Sequence, residues 1–489
     1  MKPLADPAVT VAIVGAGFGG LCLAMKLKAA GIHDFVVIDK NPEVGGTWFE
    51  NAYPGAACDI DSYLYSYSFL PTPAWTRKFA GQAEIQRYLA ACARDQGLLS
   101  HVRFGTEIVS AVFDATAGRW RLSTGEGEII EARILAPACG QLNRPSMPAI
   151  PGLERFAGPC FHSARWDAAF DPSGKTVAVI GTGASAVQIV PSIVPAVERL
   201  ILFQRSGAWV LPKGDRPFTR LERRLLSAVP SLARLYRTAI GAKNEMRGVA
   251  FVRFPWMLAP MAWRVRRRIR RGVRSPEKRS ALVPTYRLGC KRVLISDDWY
   301  PALDQDKVEI VTQAITAVVA DGVVTAEGFL HKADALVLAT GFAAANPLAA
   351  LHIVGPDGRA LNEAWGKGAF AYLGMSVPGF PNLFILYGPN TNLSHDSIVK
   401  MLEAQADYVV EGIKLLEEHR LRTLSVKPAA ATAFDQWLRV HLKETVWNVS
   451  CPSWYKTTDG RITNNWPGLV SRFRAMTRRF KRDDYDFQS

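Results

Sequence analysis

Cysteine is sparse and scattered. The seven stand at 22, 58, 92, 139, 160, 290 and 451 of 489 residues, with no Cys-x-x-Cys among them. That spacing offers no zinc ligand set, no other metal site and no redox dithiol, so it excludes metal-finger proteins and weakens a disulfide-reductase reading. A reduced, cytoplasmic chain without structural disulfides is expected. No uninterrupted apolar run reaches membrane-spanning length, and no leader of signal-peptide type precedes the first strand pattern. Zinc-finger spacings and aromatic-basic RNA motifs are also missing. The net charge of +15 therefore points to no nucleic-acid partner, and much of the excess sits between Lys213 and Arg279.

What is present is a nucleotide-binding pattern, and it occurs twice. Val11 to Val14 reads as a buried parallel strand, Gly15-x-Gly17-x-x-Gly20 follows at once, and Leu21 to Lys28 reads as helix. A second apolar run, Phe35 to Ile38, ends in Asp39. Glycines at these positions let the backbone approach a pyrophosphate at a helix N-terminus, and Asp39 can accept hydrogen bonds from a ribose diol. The alternative is a Gly-rich turn in a fold that binds nothing.

Gly45-Gly46-Thr47-Trp48 would let a loop pass close to a planar ring system. Asp59, an acid among small and apolar neighbours, reads as the partner of a cation; an exposed or capping role is the alternative. Tyr63 to Phe69 reads as core and pocket wall. A strand and turn at Pro381 to Asn390 would complete a flavin site at Gly388. Phe18, Lys40, Tyr65, Ile108 and Val109 are the further candidate contacts on this side.

The second unit runs Val177 to Ile180, then Gly181-x-Gly183-x-x-Ala186, then a strand Leu200 to Phe203 that ends in Gln204-Arg205. Arginine in place of the acid suits the 2′-phosphate of NADP, with Thr182, Gly183, Ala184, Ser185 and Ala186 at the pyrophosphate. A plain surface arginine is the alternative. Each unit is followed by alternating strands with turn signals, Val102 to Gly140 and Val308 to Gly341. The expected fold is therefore α/β, with two Rossmann-like domains that each carry a small β-meander, plus a helical insertion. The expected boundaries are 1–145 and 336–489 for a discontinuous FAD-binding domain, 146–212 and 286–335 for an NADPH-binding domain, and 213–285 for the basic insertion. That insertion reads as a solvated basic face, a lid over an apolar pocket, or a peripheral membrane surface.

Phe156-x-Gly158-x-x-x-His162-x-x-x-Trp166-Asp167 lies between the two units. With Gly45-Gly46-Thr47-Trp48 and Ala339-Thr340-Gly341, it resembles the type I Baeyer–Villiger monooxygenases. The sister family that oxidises nitrogen and sulfur carries Tyr or Phe where Trp166 stands. The resemblance covers nearly the whole chain. It implies FAD, NADPH and dioxygen acting on a small apolar ketone, which becomes an ester or lactone by way of a C4a-peroxyflavin. It also implies Arg292 in Cys-Lys-Arg as the catalytic cation, stabilising peroxide and oxyanion, with Asp59 as its carboxylate partner. Lys291 and Arg205 would hold the NADP phosphate, and Trp454 would touch the nicotinamide nucleotide. His162 and Trp166 would serve linker packing and domain movement. Pro137-Ala138-Cys139-Gly140 departs from the family's Ala-Thr-Gly at the first exit, and Asp39 stands where Glu is common. The rival readings are an N- or S-oxygenating flavin enzyme and a non-catalytic, membrane-associated redox sensor.

Overall fold

A computed structural model describes residues 8–489 apart from 72–73, 345, 367, 452 and 458. Val9–Val14 is central to a seven-stranded sheet, paired in parallel with Phe35–Ile38 on one side and with the end of Ile129–Pro137 on the other. Its middle residues are covered on both faces, hence an apolar run without alternation. Helix Phe18–Ala29 is buried almost all round because it lies between this sheet and the long helix Ile398–Glu418.

The second sheet is wholly parallel, in the order Val308–Val311, Arg199–Phe203, Thr176–Ile180, Ala335–Leu338, Cys160–His162. Two Rossmann-like units are thus present, as expected. Their meanders differ. In the first unit Ile129–Pro137 pairs antiparallel with Arg119–Thr124 at its start and parallel with Val9–Val14 at its end, which fuses the meander to the main sheet. In the second, Ile315–Val319, Gly322–Thr325 and Leu330–Lys332 form a separate three-stranded sheet.

One detail departs from the expected boundaries: Ala335–Leu338 belongs to the second sheet, so the return to the first unit falls at Ala339 to Gly341, past residue 336. The fingerprint stretch 156–167 lies within the second unit, with Cys160–His162 as the edge strand of its sheet. The two crossings between the units are tied together. Thr340 Oγ1 donates to the Ser146 carbonyl (2.7 Å), Ser146 N–H to the Gly341 carbonyl (2.8 Å), and Ala343 N–H to the Arg144 carbonyl (2.9 Å).

The repeat extends to a backbone detail. Gly15 and Gly181 have φ of +114° and +117°, and a β-carbon at Gly15 would sit 2.7 Å from the Ala138 carbonyl oxygen. At Gly181 the corresponding clash is with the Ala339 carbonyl. Both turns press against the strand that leaves their unit, and Ala138 performs this role despite the unusual Pro-Ala-Cys-Gly there. The insertion consists of helices Arg220–Ala228, Pro230–Val252, Ala259–Gly272 and Pro276–Leu282, the first started by a Thr219–Glu222 capping box. Its root is closed by pairing of Val210–Leu211 with Leu294–Ile295.

Gly181→Ala places a side chain in both a strained backbone region and a backbone clash. It is expected to destabilise the second unit by at least about 2 kcal/mol, read as a lower urea midpoint. An unchanged midpoint would show that the close approach at Gly181 is not needed.

Candidate active site

A cavity of about 2070 Å³ lies at the carboxyl ends of both sheets, reached by Val14 and Ile38 from one and by Ile180 and Phe203 from the other. Pockets for a single ligand usually hold roughly 300–1,000 Å³, so this one has room for two nucleotides and a substrate. Gly15, Gly17, Phe18, Asp39 and Lys40 line it, as do Gly46, Thr47, Trp48, Asp59, Tyr65 and Ile108. On the other side it is lined by Thr182, Gly183, Ala184, Ser185, Gln204, Arg205, Lys291, Arg292 and Trp454.

Four expected contacts do not line it. Val109 is 41 % exposed, because strand alternation turns it away from Ile108. Gly20 packs under the Gly15 carbonyl and Gly388 against the Gly374 carbonyl, while Ala186 is buried beneath its helix. These small residues allow close packing and lie behind the cavity wall.

Both nucleotide turns have the form of a phosphate cradle. Gly17 and Gly183 cap their helices in extended conformation with no side chain bonding the first amides, and nothing stands within 4 Å of a β-carbon built at Gly183. Asp39 holds the first turn in shape, accepting from the amides of Ala16 (2.6 Å) and Asn41 (2.8 Å). Burial pushes its carboxyl up, and those two amides pull the other way. Trp48 Nε1 donates to Tyr65 Oη (3.1 Å) and Phe18 packs edge-on to Tyr65 at 4.9 Å, giving one apolar wall. These residues fit a flavin nucleotide. At the other end Lys291 is depressed by burial and by Arg205, two cations sharing one end of the cavity, as an anion site requires.

The two halves meet at Arg292, whose Nη2 donates to Asp59 Oδ2 at 2.5 Å. Asp59 comes from the first unit and Arg292 from the second, 233 residues on. Burial works against the Asp59 charge, but the guanidinium outweighs it and holds the carboxyl below the usual range. Asp59 in turn raises Arg292 far above reach of any ordinary pH. Around the pair, burial pushes Tyr53, Tyr387 and Tyr455 up, keeping their phenols neutral.

The sequence reading missed several cavity residues. Tyr53 Oη donates to Gln188 Oε1 (2.9 Å), and Gln188 Nε2 donates to the Ala57 carbonyl (2.8 Å), so a helix of the second unit is latched to the loop that carries Asp59. Tyr387 has φ of +56° and donates to Asn392 Oδ1 (2.8 Å). The Tyr-Gly-Pro-Asn turn was the available signal for Tyr387; nothing local marked Gln188. The expectation of no structural disulfide is overturned, since Cys290 and Cys451 are bonded, with Cα atoms 6.5 Å apart. Their 161-residue separation hides the pair from any spacing rule. The bond ties Cys-Lys-Arg to the tail segment that carries Trp454.

None of Phe156, Gly158, His162, Trp166 and Asp167 lines the cavity. Phe156 packs on the core of the second unit, and Gly158 fits under the Asp334 carbonyl. His162 is buried, accepts from Ala164 N–H (3.1 Å) and stacks edge-on against Phe342 at the return crossing (5.8 Å). Trp166 packs on Phe161 at 4.9 Å, and Asp167 accepts from Ala169 N–H (2.9 Å). Glu50 of the first unit reaches both Lys40 (3.0 Å) and Arg165 of this stretch (3.6 Å). The insertion is more than a solvated face. Tyr236, Ile240, Phe251, Leu258 and Val265 bring apolar surface to the cavity, beside Lys243, Arg247, Arg264 and Arg268 of the same helices.

Two glycine-cradle units open onto one cavity with a paired cation at their junction, which defines a two-dinucleotide-domain flavoprotein. The flavin-binding monooxygenase-like family model matches residues 8–218. A Baeyer–Villiger monooxygenase of Streptomyces coelicolor is 42 % identical, over 98 % of this chain and 92 % of its own. Another, from Pseudomonas aeruginosa, is 41 % identical over 99 % and 92 %. Among solved structures, a closed cyclohexanone monooxygenase superposes with a TM-score of 0.90 at 27 % identity, covering 99 % of this chain and all of the other. An NADP-bound steroid monooxygenase gives 0.88 at 30 %, with the same coverage. The chain belongs to the Baeyer–Villiger monooxygenases.

Asp59→Ala strands the Arg292 charge. Solvent reaches 32 % and 27 % of the two side chains, so the expected loss is about 2 kcal/mol, below the roughly 3–5 of a fully buried pair. Because the folded Asp59 pKa is lowered, this loss is present at neutral pH and disappears as pH falls through the depressed value. Denaturant curves of wild type and variant that differ equally at every pH would contradict it. For the disulfide, alkylation of unfolded protein should spare Cys290 and Cys451 until a reductant is added; labelling of both without reductant would exclude the bond.

Proposed function

We propose that this enzyme uses NADPH and dioxygen to insert one oxygen atom beside the carbonyl of an apolar ketone, with Arg292 as the catalytic cation and Asp59 holding it in place. The observation that carries the reading is the Asp59–Arg292 pair, set where the two nucleotide cradles open onto the same cavity. FAD, when bound and reduced by NADPH, supplies the activation of dioxygen. Gly15, Gly17, Asp39, Gly46, Thr47 and Trp48 would hold it, while Arg205 and Lys291 would take the NADP phosphate and Trp454 the nicotinamide nucleotide.

Arg292 provides a permanent, fixed positive charge where oxygen anions develop, in a cavity whose neighbouring phenols stay neutral. Asp59 fixes the direction of the guanidinium without giving up its own charge, since its pKa lies low. The apolar side chains that the insertion brings to the cavity favour a hydrophobic substrate. No nucleic-acid partner enters this reading, and peripheral membrane contact through 213–285 is part of it. NADPH dependence suits a cytoplasmic location, where the Cys290–Cys451 bond would be a reversible one.

Purified enzyme given NADPH, oxygen and a panel of cyclic, linear and aryl ketones should form ester or lactone in step with NADPH consumption. Sulfoxide from thioethers as the sole product would favour the heteroatom-oxygenating reading, and hydrogen peroxide alone the redox sensor. Arg292→Ala should still allow flavin reduction while ester formation falls by about 10²–10³; normal oxygenation in that variant would remove Arg292 from its role. Arg205→Ala should raise the KM for NADPH at least about tenfold with little change for NADH; an unchanged constant would sink that assignment.

A further inference from the structure

The whole charge excess of this protein lies in the insertion. Residues 213–285 hold 19 of the 59 Lys and Arg and 4 of the 44 Asp and Glu, a net +15, and the remaining 416 residues carry 40 of each sign. The same 73 residues hold ten of the eighteen exposed large apolar side chains among the described residues. A solvated helix face needs arginines but no exposed Leu and Trp, so charge and apolar surface together call for one partner that satisfies both.

The apolar side chains are ordered. On helix Pro230–Val252, Leu232, Leu235, Ala239, Ala242 and Met246 are all exposed and follow a 3-4-3-4 spacing, which is one helix face. Gly241, Asn244, Gly248 and Phe251 hold the opposite, buried face. Phe254 and Trp256 follow the helix, with Trp256 71 % exposed. Trp263 stands on the next helix under the Arg267 guanidinium (5.1 Å), beside the exposed Arg264, Arg266, Arg270 and Arg271. This surface runs into the active site, since Ala239, Met246 and Met257 are exposed and also line the cavity.

We infer that this face of the insertion docks on an anionic lipid surface and that the cavity draws its apolar ketone from that surface. The second half rests on the ketone-oxygenase reading; the first does not. An apolar stripe on an insertion rich in exposed arginine is what an interfacial surface presents, the one entering the acyl boundary and the other meeting the headgroups. No helix of the described residues is long and apolar enough to cross a membrane, so the contact is with one leaflet. A second copy of the chain is a poorer occupant, because a twofold contact would set two +15 surfaces face to face. Nucleic acid would use the arginines and leave the Leu and Trp stripe unexplained.

Sedimentation of the flavin-loaded enzyme with vesicles tests the first half. Phosphatidylcholine vesicles with one quarter phosphatidylglycerol should carry it down, pure phosphatidylcholine much less, and high salt should weaken the binding. Leu235→Glu with Trp256→Glu, both outside the cavity, should lower the bound fraction about tenfold with far-UV spectrum and flavin content unchanged. Arg270→Glu with Arg271→Glu should act similarly on anionic vesicles alone. No binding to either vesicle, or binding indifferent to Leu235 and Trp256, would overturn the proposal, as would a dimer in solution that those variants dissolve. For the second half, a long-chain ketone dissolved in the vesicles should be oxidised several-fold faster by wild type than by Leu235→Glu/Trp256→Glu, with equal rates on a short, water-soluble ketone. Equal rates on both ketones would refute lipid-side loading. Vesicle binding without oxygenation of any ketone would instead count against the reaction assigned above.

Discussion

The Asp59–Arg292 ion pair is the contact on which the rest of this structure depends. Each partner comes from a different nucleotide unit, so the pair forms only when the units are correctly apposed. Either residue alone would be an uncompensated charge at the wall of an apolar cavity. Gln188 bonds both Tyr53 and the backbone next to Cys58, and thus holds the Asp59 loop against the second unit. Cys290 and Cys451 anchor the other side, fixing the segment of Lys291 and Arg292 to the tail that bears Trp454.

That apposition is maintained through a narrow joint. The two crossings between the units are hydrogen-bonded to each other from Arg144 to Ala343, and His162 packs against Phe342 of the return crossing. The fingerprint stretch therefore sits beside the joint between the two units. Its aromatic residues pack against one another and against Phe342, outside the cavity lining. Glu50, paired with Lys40 beside the flavin cradle and with Arg165 in the stretch itself, gives a direct link between joint and site.

The insertion serves two surfaces with one set of helices. Its buried face walls the cavity, and its outer face gathers the charge excess and an ordered apolar stripe. Only a helix can divide residues in this way at alternating steps of three and four, which is why a long basic segment without obvious internal pattern becomes legible once it is folded.

Much was determined by the sequence alone. Local chemistry sufficed for both nucleotide units, because a strand, a glycine turn and a following Asp39 or Arg205 lie within about thirty residues, as such units do. Asp59 and Arg292, the residues proposed to carry the chemistry, were named through the family resemblance, from the short motifs in which they stand. The tertiary structure decided what depends on distant segments meeting. It bonded Cys290 to Cys451, brought Gln188 to Tyr53, placed the return strand Ala335–Leu338 in the second sheet, and made Cys160–His162 an edge strand. It also turned Val109 outward beside an inward Ile108, a register that strand composition leaves undetermined until the sheet forms. Short-range spacing encodes a turn or a cradle; which two such pieces touch is settled only by packing of the whole chain.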